Sequence, residues 1–481
     1  MKSISFPVRI YLIALILRLV PVLLTRGLAI GLDDMFQYDM LARSLASGNG
    51  FRWYARADLN ILSQFVDFDL DKIQDYDPIR GIATSFRAPL YPAFLAAVYF
   101  LTGTGESRFF VARLVQVIIL SAPLAPLTYL VGRRLLPEKE STARMASAIV
   151  ASYPILILYP LGLGTENLFF ILLLSAFLCL IQLVDRNSLG SCILAGALLA
   201  LTCLTRSVIL PFAALALIWT WFKVSRNGTL AVFLIMSALI LPWVIRNSLL
   251  HGKISGIESS MGYNLYLGYH PQGDGSFVFG PSLDLLTIVD DAERDRVGMQ
   301  NATEFISDQP GRFIPLAVKR LGFFFGLEKR VLMYFYSNNL VGHLPSLPLL
   351  LIFLVLAIPF VIISLSAVMG FFIMRPGGPK ITLLVLLFVA YLLPHVFILS
   401  EDRFHLALVP FLAIFAGVFW TDGIKLVKIA WKGSRSAKQS LLAGVSICAL
   451  LIFNWSMELL RDAPKLAALF GPNGNHTYFP Y

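Results

Sequence analysis

Residues 6–34 read FPVRIYLIALILRLVPVLLTRGLAIGLDD, an apolar run that ends on two adjacent acids, Asp33 and Asp34. The stretch from Phe6 to Ile30 exceeds the ~20 residues needed to cross a bilayer. The acid pair therefore lies at the far membrane surface. Carboxylates at the mouth of a span are costly to desolvate without a purpose. The plainer reading is that they cap the next helix at its positive N-terminal end.

Working outward, further apolar runs fall at 108–132, 145–161, 167–184, 189–205, 207–222, 230–245, 346–374, 381–399, 404–421 and 440–456. Of 481 residues 57% are hydrophobic and 14% charged, against roughly 25% charge in soluble domains. The expected fold is therefore an all-α membrane protein, a multi-span helical bundle of about eleven spans. The segments 1–421 form its main domain, and 422–481 add a basic loop, a last span and a tail. Lys2 and Arg9 precede the first run, which is longer than the core of a secretory signal and is expected to be retained.

The net charge of +10 does not indicate nucleic acid, because the bases sit in short loops between spans. Placing the N-terminus inside puts Arg133, Arg134, Lys139, Arg144, Arg186, Lys223, Arg226, Arg375, Lys380, Lys425 and Lys432 in inward loops. The short outward loops carry Arg206 and Arg403. This asymmetry is the positive-inside pattern. The four cysteines lie within apolar runs and read as small hydrophobes.

The remaining candidates for chemistry then share the outward side: Asp33, Asp34, Arg87, Glu166, Arg206, Arg246 and the Glu401-Asp402-Arg403-Phe404-His405 stretch. Two outward segments are large, 31–107 and 247–345. The first ends in an apolar piece, 89–101, too short to span. The second ends in an amphipathic stretch, 312–327, with Lys319 and Arg320 on one side. The first reads as re-entrant or lying along the interface, and the second suits the interface. The aspartates at 67, 69, 71, 75 and 77 offer oxygens of the kind a divalent cation takes. They lack the glycine-punctuated spacing of a calcium loop, so a solvated acidic face is the other reading. No other metal site is expected.

Carboxylates and arginines converging at one membrane surface suit transfer of a sugar from a polyprenyl phosphate to a hydroxyl. Phosphate is already a good leaving group, so one carboxylate taking the acceptor proton suffices. Arginine stabilises the departing oxygens because its fork matches phosphate geometry and stays charged. A single in-line displacement implies inversion at the anomeric carbon.

The order of motifs resembles the GT-C superfamily of integral-membrane glycosyltransferases, in the branch of protein O-mannosyltransferases and aminoarabinose transferases. The matching pieces are Asp33-Asp34 with Tyr38 and Ser47-Gly48-Asn49-Gly50-Phe51, then Arg87-Ala88-Pro89-Leu90-Tyr91-Pro92, Thr165-Glu166 and Thr205-Arg206. They continue with Pro242-Trp243-Val244-Ile245-Arg246-Asn247, Gly262-Tyr263-Asn264-Leu265-Tyr266-Leu267-Gly268 and Asp402-Arg403-Phe404-His405.

The resemblance implies a catalytic base at Asp33, preferred over Asp34, and a second acid at Glu166 that orients acceptor or metal. It places Arg87, Tyr91, Arg206 and Arg403 at the donor phosphate. Tyr38, Arg246, Asn264, Tyr266 and His405 are placed at the substrates. Five of these residues also have a plainer reading: a helix cap for Glu166, a lipid-headgroup anchor for Arg206 and Arg403, and packing for Arg87 and His405. The expected setting is a bacterial-type inner membrane with the site facing outward. Its partners would be membrane lipids, a polyprenyl-phosphate-linked sugar, and a lipid, glycan or protein acceptor. A transporter or flippase of polyprenyl-linked sugars is the alternative; such proteins place their charges near the midplane, often in two related halves.

Overall fold

The computed structural model describes residues 5–66, 68 and 76–477. Eight helices among the described residues are long and apolar enough to cross a membrane: Phe6–Leu24, Arg108–Leu135, Thr165–Leu183, Arg226–His251, Ser346–Met374, Pro379–Phe397, Asp402–Lys432 and Arg435–Arg461. A ninth is the pair Glu140–Ser152 and Pro154–Leu161, bent by 53°. The other two expected spans are the shorter helices Leu189–Thr205 and Ser207–Lys223, so the count of eleven is not reached by length. The chain is a helical membrane protein. The division expected at 421 falls inside the continuous helix that ends at Lys432.

Two helices form the centre. Windows of Thr165–Leu183 and Asp402–Lys432 are 72% and 78% buried, whereas that of Arg226–His251 is 11% buried and leaves most of its apolar surface exposed. The central Asp402–Lys432 helix packs along Ser346–Met374 at Gly370, where a Cβ would stand 2.0 Å from the Phe415 carbonyl oxygen. Only glycine permits that approach.

The two ends of the central pair carry different chemistry. At one end Arg144 meets Glu140 at 2.8 Å, Arg134 and Lys380 meet Asp185 at 3.3 and 2.7 Å, and Arg133–Glu140 and Lys139–Asp422 also pair. These contacts join four loops that the basic residues had assigned to one side. Glu166 and Arg403 lie at the other end of the same two helices. At 1.5 Å per residue, the Thr165–Leu183 helix alone separates the ends by roughly 28 Å.

Three arginines inside the bundle serve its backbone. Pro154 interrupts the helix before it, leaving carbonyls without i+4 donors. Arg18 donates to the carbonyls of Val150 and Ala151 at 2.9 Å and to Ser121 Oγ at 2.9 Å. Arg113 likewise donates to the carbonyls of Leu161 and Ala29, each at 2.8 Å, and to that of Leu28. Arg320, expected on an interfacial polar face with Lys319, is instead fully buried. It donates to the carbonyls of Gly268 and Val396 near the ends of two helices. Lys319 alone is exposed. The short apolar piece forms the Leu90–Thr102 helix, which packs on Asp34–Ala46.

Candidate active site

The acid pair sits where the chain turns into the Asp34–Ala46 helix. Asp33 is its N-cap, accepting from the Met35 amide at 2.9 Å, so the capping reading holds for this residue. Gly31 precedes it because a Cβ there would stand 2.8 Å from the Tyr334 hydroxyl and 3.3 Å from Asp33 Oδ2. Asp34 opens the helix and turns the other way, to an ion pair with Arg87. Arg87 also donates from Nε to Gln37 Oε1 at 2.8 Å, and its guanidinium lies 5.4 Å from the Tyr38 ring centre.

A second acid comes from the first turn of Thr165–Leu183. Glu166 Oε1 stands 2.6 Å from Arg206 Nη1, and Arg206 rests 5.3 Å from the Phe404 ring. Arg403 joins the two halves. Its Nη2 lies 3.5 Å from Asp34 Oδ2, its Nε 3.9 Å from Glu166 Oε1 and 2.7 Å from Glu401 Oε2. Arg330 Nη1 reaches the same Glu401 oxygen at 2.7 Å. Asp34, Glu166, Arg87, Arg206 and Arg403, far apart in sequence, thus become one cluster.

The neighbouring acids titrate apart. Asp33 is exposed at the rim, yet the dense protein around it desolvates its carboxylate and, with the charge of Asp34, raises its pKa. Burial also works against charge on Asp34. Arg87, followed by Arg403 and Arg206, outweighs it and holds Asp34 at about 2. Glu401 is lowered in the same way, Arg330 and Arg403 overcoming its burial. Burial raises the Tyr38 phenol to about 12. Asp33 is therefore the better proton acceptor of the pair, and Asp34 a fixed counter-charge.

Several expected site residues are placed elsewhere. Tyr91 is fully buried beside Tyr38 and donates to Gln116 Oε1 at 2.6 Å. Arg246 spends its guanidinium on the carbonyls of Thr84 and Phe51 at 2.5 and 3.3 Å. Tyr266 donates to Asp284 at 3.1 Å within a separate apolar cluster. Asn264 is half-buried on the Met261–Tyr269 helix. From that helix Tyr263 approaches the site, packing edge-on against Phe86 at 5.5 Å. His405 is fully enclosed, with both ring nitrogens engaged by Phe324 and Glu328.

Arg330, Gln37 and the scaffold under Asp34–Ala46 are further members that the sequence reading did not single out. In that scaffold Asp39 is gripped by Arg43 and Arg108, each at 2.8 Å, and Arg43 reaches Asp58 at 2.6 Å. The i,i+4 spacing of Asp39 and Arg43 was the available signal.

Among the described residues no group of three or more His, Cys, Asp or Glu side chains could hold a metal ion. The cluster acids already face guanidinium groups, a poor setting for a divalent cation. Asp67, Asp69, Asp71 and Asp75 lie outside the described residues. Asp77 accepts from the amides of Ile79 and Arg80 at 2.8 and 3.0 Å, closing a turn.

No protein-family model matches the chain, and no curated protein matches it. Among solved structures, it is similar to the oligosaccharyltransferase of Archaeoglobus fulgidus in complex with zinc and sulfate. The two share 14% identity with a TM-score of 0.47, over 99% of this chain and 57% of that one. The apo form of the same protein gives 14% and 0.48, over 99% and 60%. ArnT from Cupriavidus metallidurans bound to undecaprenyl phosphate gives 13% and 0.38, over 89% and 80%. The chain spans less than two thirds of the oligosaccharyltransferase. Likeness at this level assigns no activity.

Proposed function

We propose that the chain is an integral-membrane glycosyltransferase that moves a sugar from a polyprenyl-phosphate donor to a hydroxyl of a lipid, glycan or protein acceptor. The observation that carries this reading is the placement of Arg403. Its guanidinium stands between Asp34 and Glu166 at 3.5 and 3.9 Å, too far for good hydrogen bonds, while its Nε is anchored by Glu401 Oε2 at 2.7 Å. A phosphate entering there would gain short charge-assisted bonds from Arg403 and Arg206. Arg87, pinned by Asp34, would complete the positive wall. Asp33, raised and outside the ion pairs, takes the acceptor proton as the hydroxyl attacks the anomeric carbon. The C–O bond to phosphate breaks on the opposite face, so the configuration inverts. No step requires a metal.

The basic residues of the opposite end set the orientation in this account, with the acid cluster on the outer face of a cell membrane. A transporter would be favoured by polar broken helices near the midplane. The one sharply bent span among the described residues, at Pro154, has its freed carbonyls filled by Arg18, which favours the enzyme. Mass spectrometry of cell-envelope glycans from cells with and without the chain tests the reading. Loss of one sugar modification supports it, and an unchanged envelope with altered distribution of lipid-linked sugar supports transport.

A further inference from the structure

Beneath the cluster lies a sealed acid–base couple that the reaction above does not use. His405 Nδ1 is 2.7 Å from the Phe324 carbonyl oxygen and Nε2 is 2.9 Å from Glu328 Oε1. A carbonyl only accepts, so Nδ1 carries a hydrogen. The Nε2···Oε1 contact then needs one further proton, held as imidazolium–carboxylate or as imidazole–carboxylic acid; either way the couple is neutral. Tyr153 donates to the same Glu328 oxygen at 2.6 Å, and Phe360 stacks on the imidazole at 3.7 Å. Glu328 and His405 are 4% and 0% exposed. Burial raises the Glu328 carboxyl, against the pull of His405.

The couple grips the turn that presents Arg403. Glu328, Lys329 and Arg330 are consecutive, yet each takes a different partner. Glu328 holds His405, Lys329 pairs with Glu458 and lies 2.9 Å from Asp462, and Arg330 holds Glu401. Arg403 lies midway between Glu401 and His405, so residues 328–330 clamp its turn on both sides.

We propose that Glu328 and His405 are positioning residues that aim Arg403 at the space between Asp34 and Glu166, and that they do so only while they hold a shared proton. The proposal rests on the phosphate-binding reading of Arg403. Loss of the proton sets a carboxylate against an imidazole lone pair and loosens the turn. Gain of a second proton leaves a net charge in a dry interior. The other titratable groups facing the couple are Tyr153, Asp402 of its own turn and, across Phe324, Tyr391 and His395.

The test measures binding of a polyprenyl monophosphate to the purified full chain in detergent across a pH series. His405→Ala is expected to weaken binding on the order of tenfold, the scale of one charge-assisted hydrogen bond. In Glu328→Gln the amide nitrogen donates permanently to Nε2 with one hydrogen and to the Tyr153 hydroxyl, which turns from donor to acceptor, with the other. That variant should bind within about twofold of wild type near neutral pH and should lack the alkaline fall that wild type shows. A folded His405→Ala with wild-type affinity, or a Glu328→Gln with an unchanged alkaline fall, overturns the proposal. Should His405→Ala not fold, the alkaline limb of Glu328→Gln decides alone. If wild type binds no polyprenyl phosphate, the functional reading fails, and the couple is read from thermal midpoints. Alkaline destabilisation in wild type that is absent from Glu328→Gln supports the shared proton, and equal slopes refute it.

Discussion

Arg206 Nη1 and Glu166 Oε1 lie 2.6 Å apart, joining the end of the Leu189–Thr205 helix to the first turn of Thr165–Leu183. Both side chains are largely buried, at 18% and 8% exposure, so removing Arg206 leaves Glu166 only the more distant Arg403, at 3.9 Å. Arg206→Ala is expected to destabilise the protein by about 3–5 kcal/mol, the range for an orphaned buried charge. Adding Glu166→Gln should restore much of the thermal midpoint without restoring donor binding. Recovery of both in the double variant would reduce Arg206 to a structural partner of Glu166.

The split within the acid pair has a signature in pH. Asp34 is depressed to about 2, against roughly 3.9 for a free aspartate. A depressed group stabilises the fold fully above its unfolded value, and that contribution is lost as pH falls through the folded value. Thermal stability assigned to Asp34 should therefore decline between roughly pH 4 and about 2, and Asp34→Asn should remove that slope. Asp33 is shifted the other way, so the acid limb of turnover should lie above the ordinary aspartate value. An acid limb that follows Asp34 would reassign the base.

Arg18 separates scaffold from pathway. Its guanidinium completes the carbonyls freed at the Pro154 break, so Arg18→Met should cost about 1–3 kcal/mol for each carbonyl left dry. The surviving folded protein should keep wild-type affinity for a polyprenyl phosphate. A large affinity loss at unchanged stability would place Arg18 on a ligand path through the bundle.

Orientation is open to direct labelling. A cysteine introduced at position 264 should react with a membrane-impermeant reagent from the outer side, and one at position 432 only after the inner side is exposed. The reverse pattern would put the cluster in the cytoplasm and remove the flipped donor from the account.

The spans were legible because hydropathy over ~20 residues reports burial in lipid directly. Arg206 and Arg403 were legible because bases in base-poor outward loops stand out against the topology rule, and Asp34, Arg87 and Glu166 because they stand in the motifs that carry the resemblance. Sequence order does not say where a side chain points. Tyr91 and Tyr38 lie in neighbouring motifs, yet Tyr91 turns to Gln116, and Arg246 turns to the carbonyl of Thr84. His405 follows Arg403 by two residues and faces the core, because the short turn from Asp402 to Leu408 places them on different sides. Glu328-Lys329-Arg330 reads as a plain charged run; its partners at His405, Glu458 and Glu401 lie far along the chain. The shorter helices at 189–205 and 207–223 show the limit of hydropathy, which registers apolar character more readily than span length.

The central claim is that Asp33 deprotonates an acceptor while the arginine cluster receives the phosphate. The purified chain is incubated with a polyprenyl-phosphate-linked sugar and cell-envelope acceptor, and release of free polyprenyl phosphate is measured for wild type and Asp33→Asn. The account predicts release coupled one-to-one to sugar on the acceptor in wild type, and loss of turnover in Asp33→Asn with donor affinity retained. Undiminished release by Asp33→Asn, or passage of intact donor across vesicles without release, would contradict it.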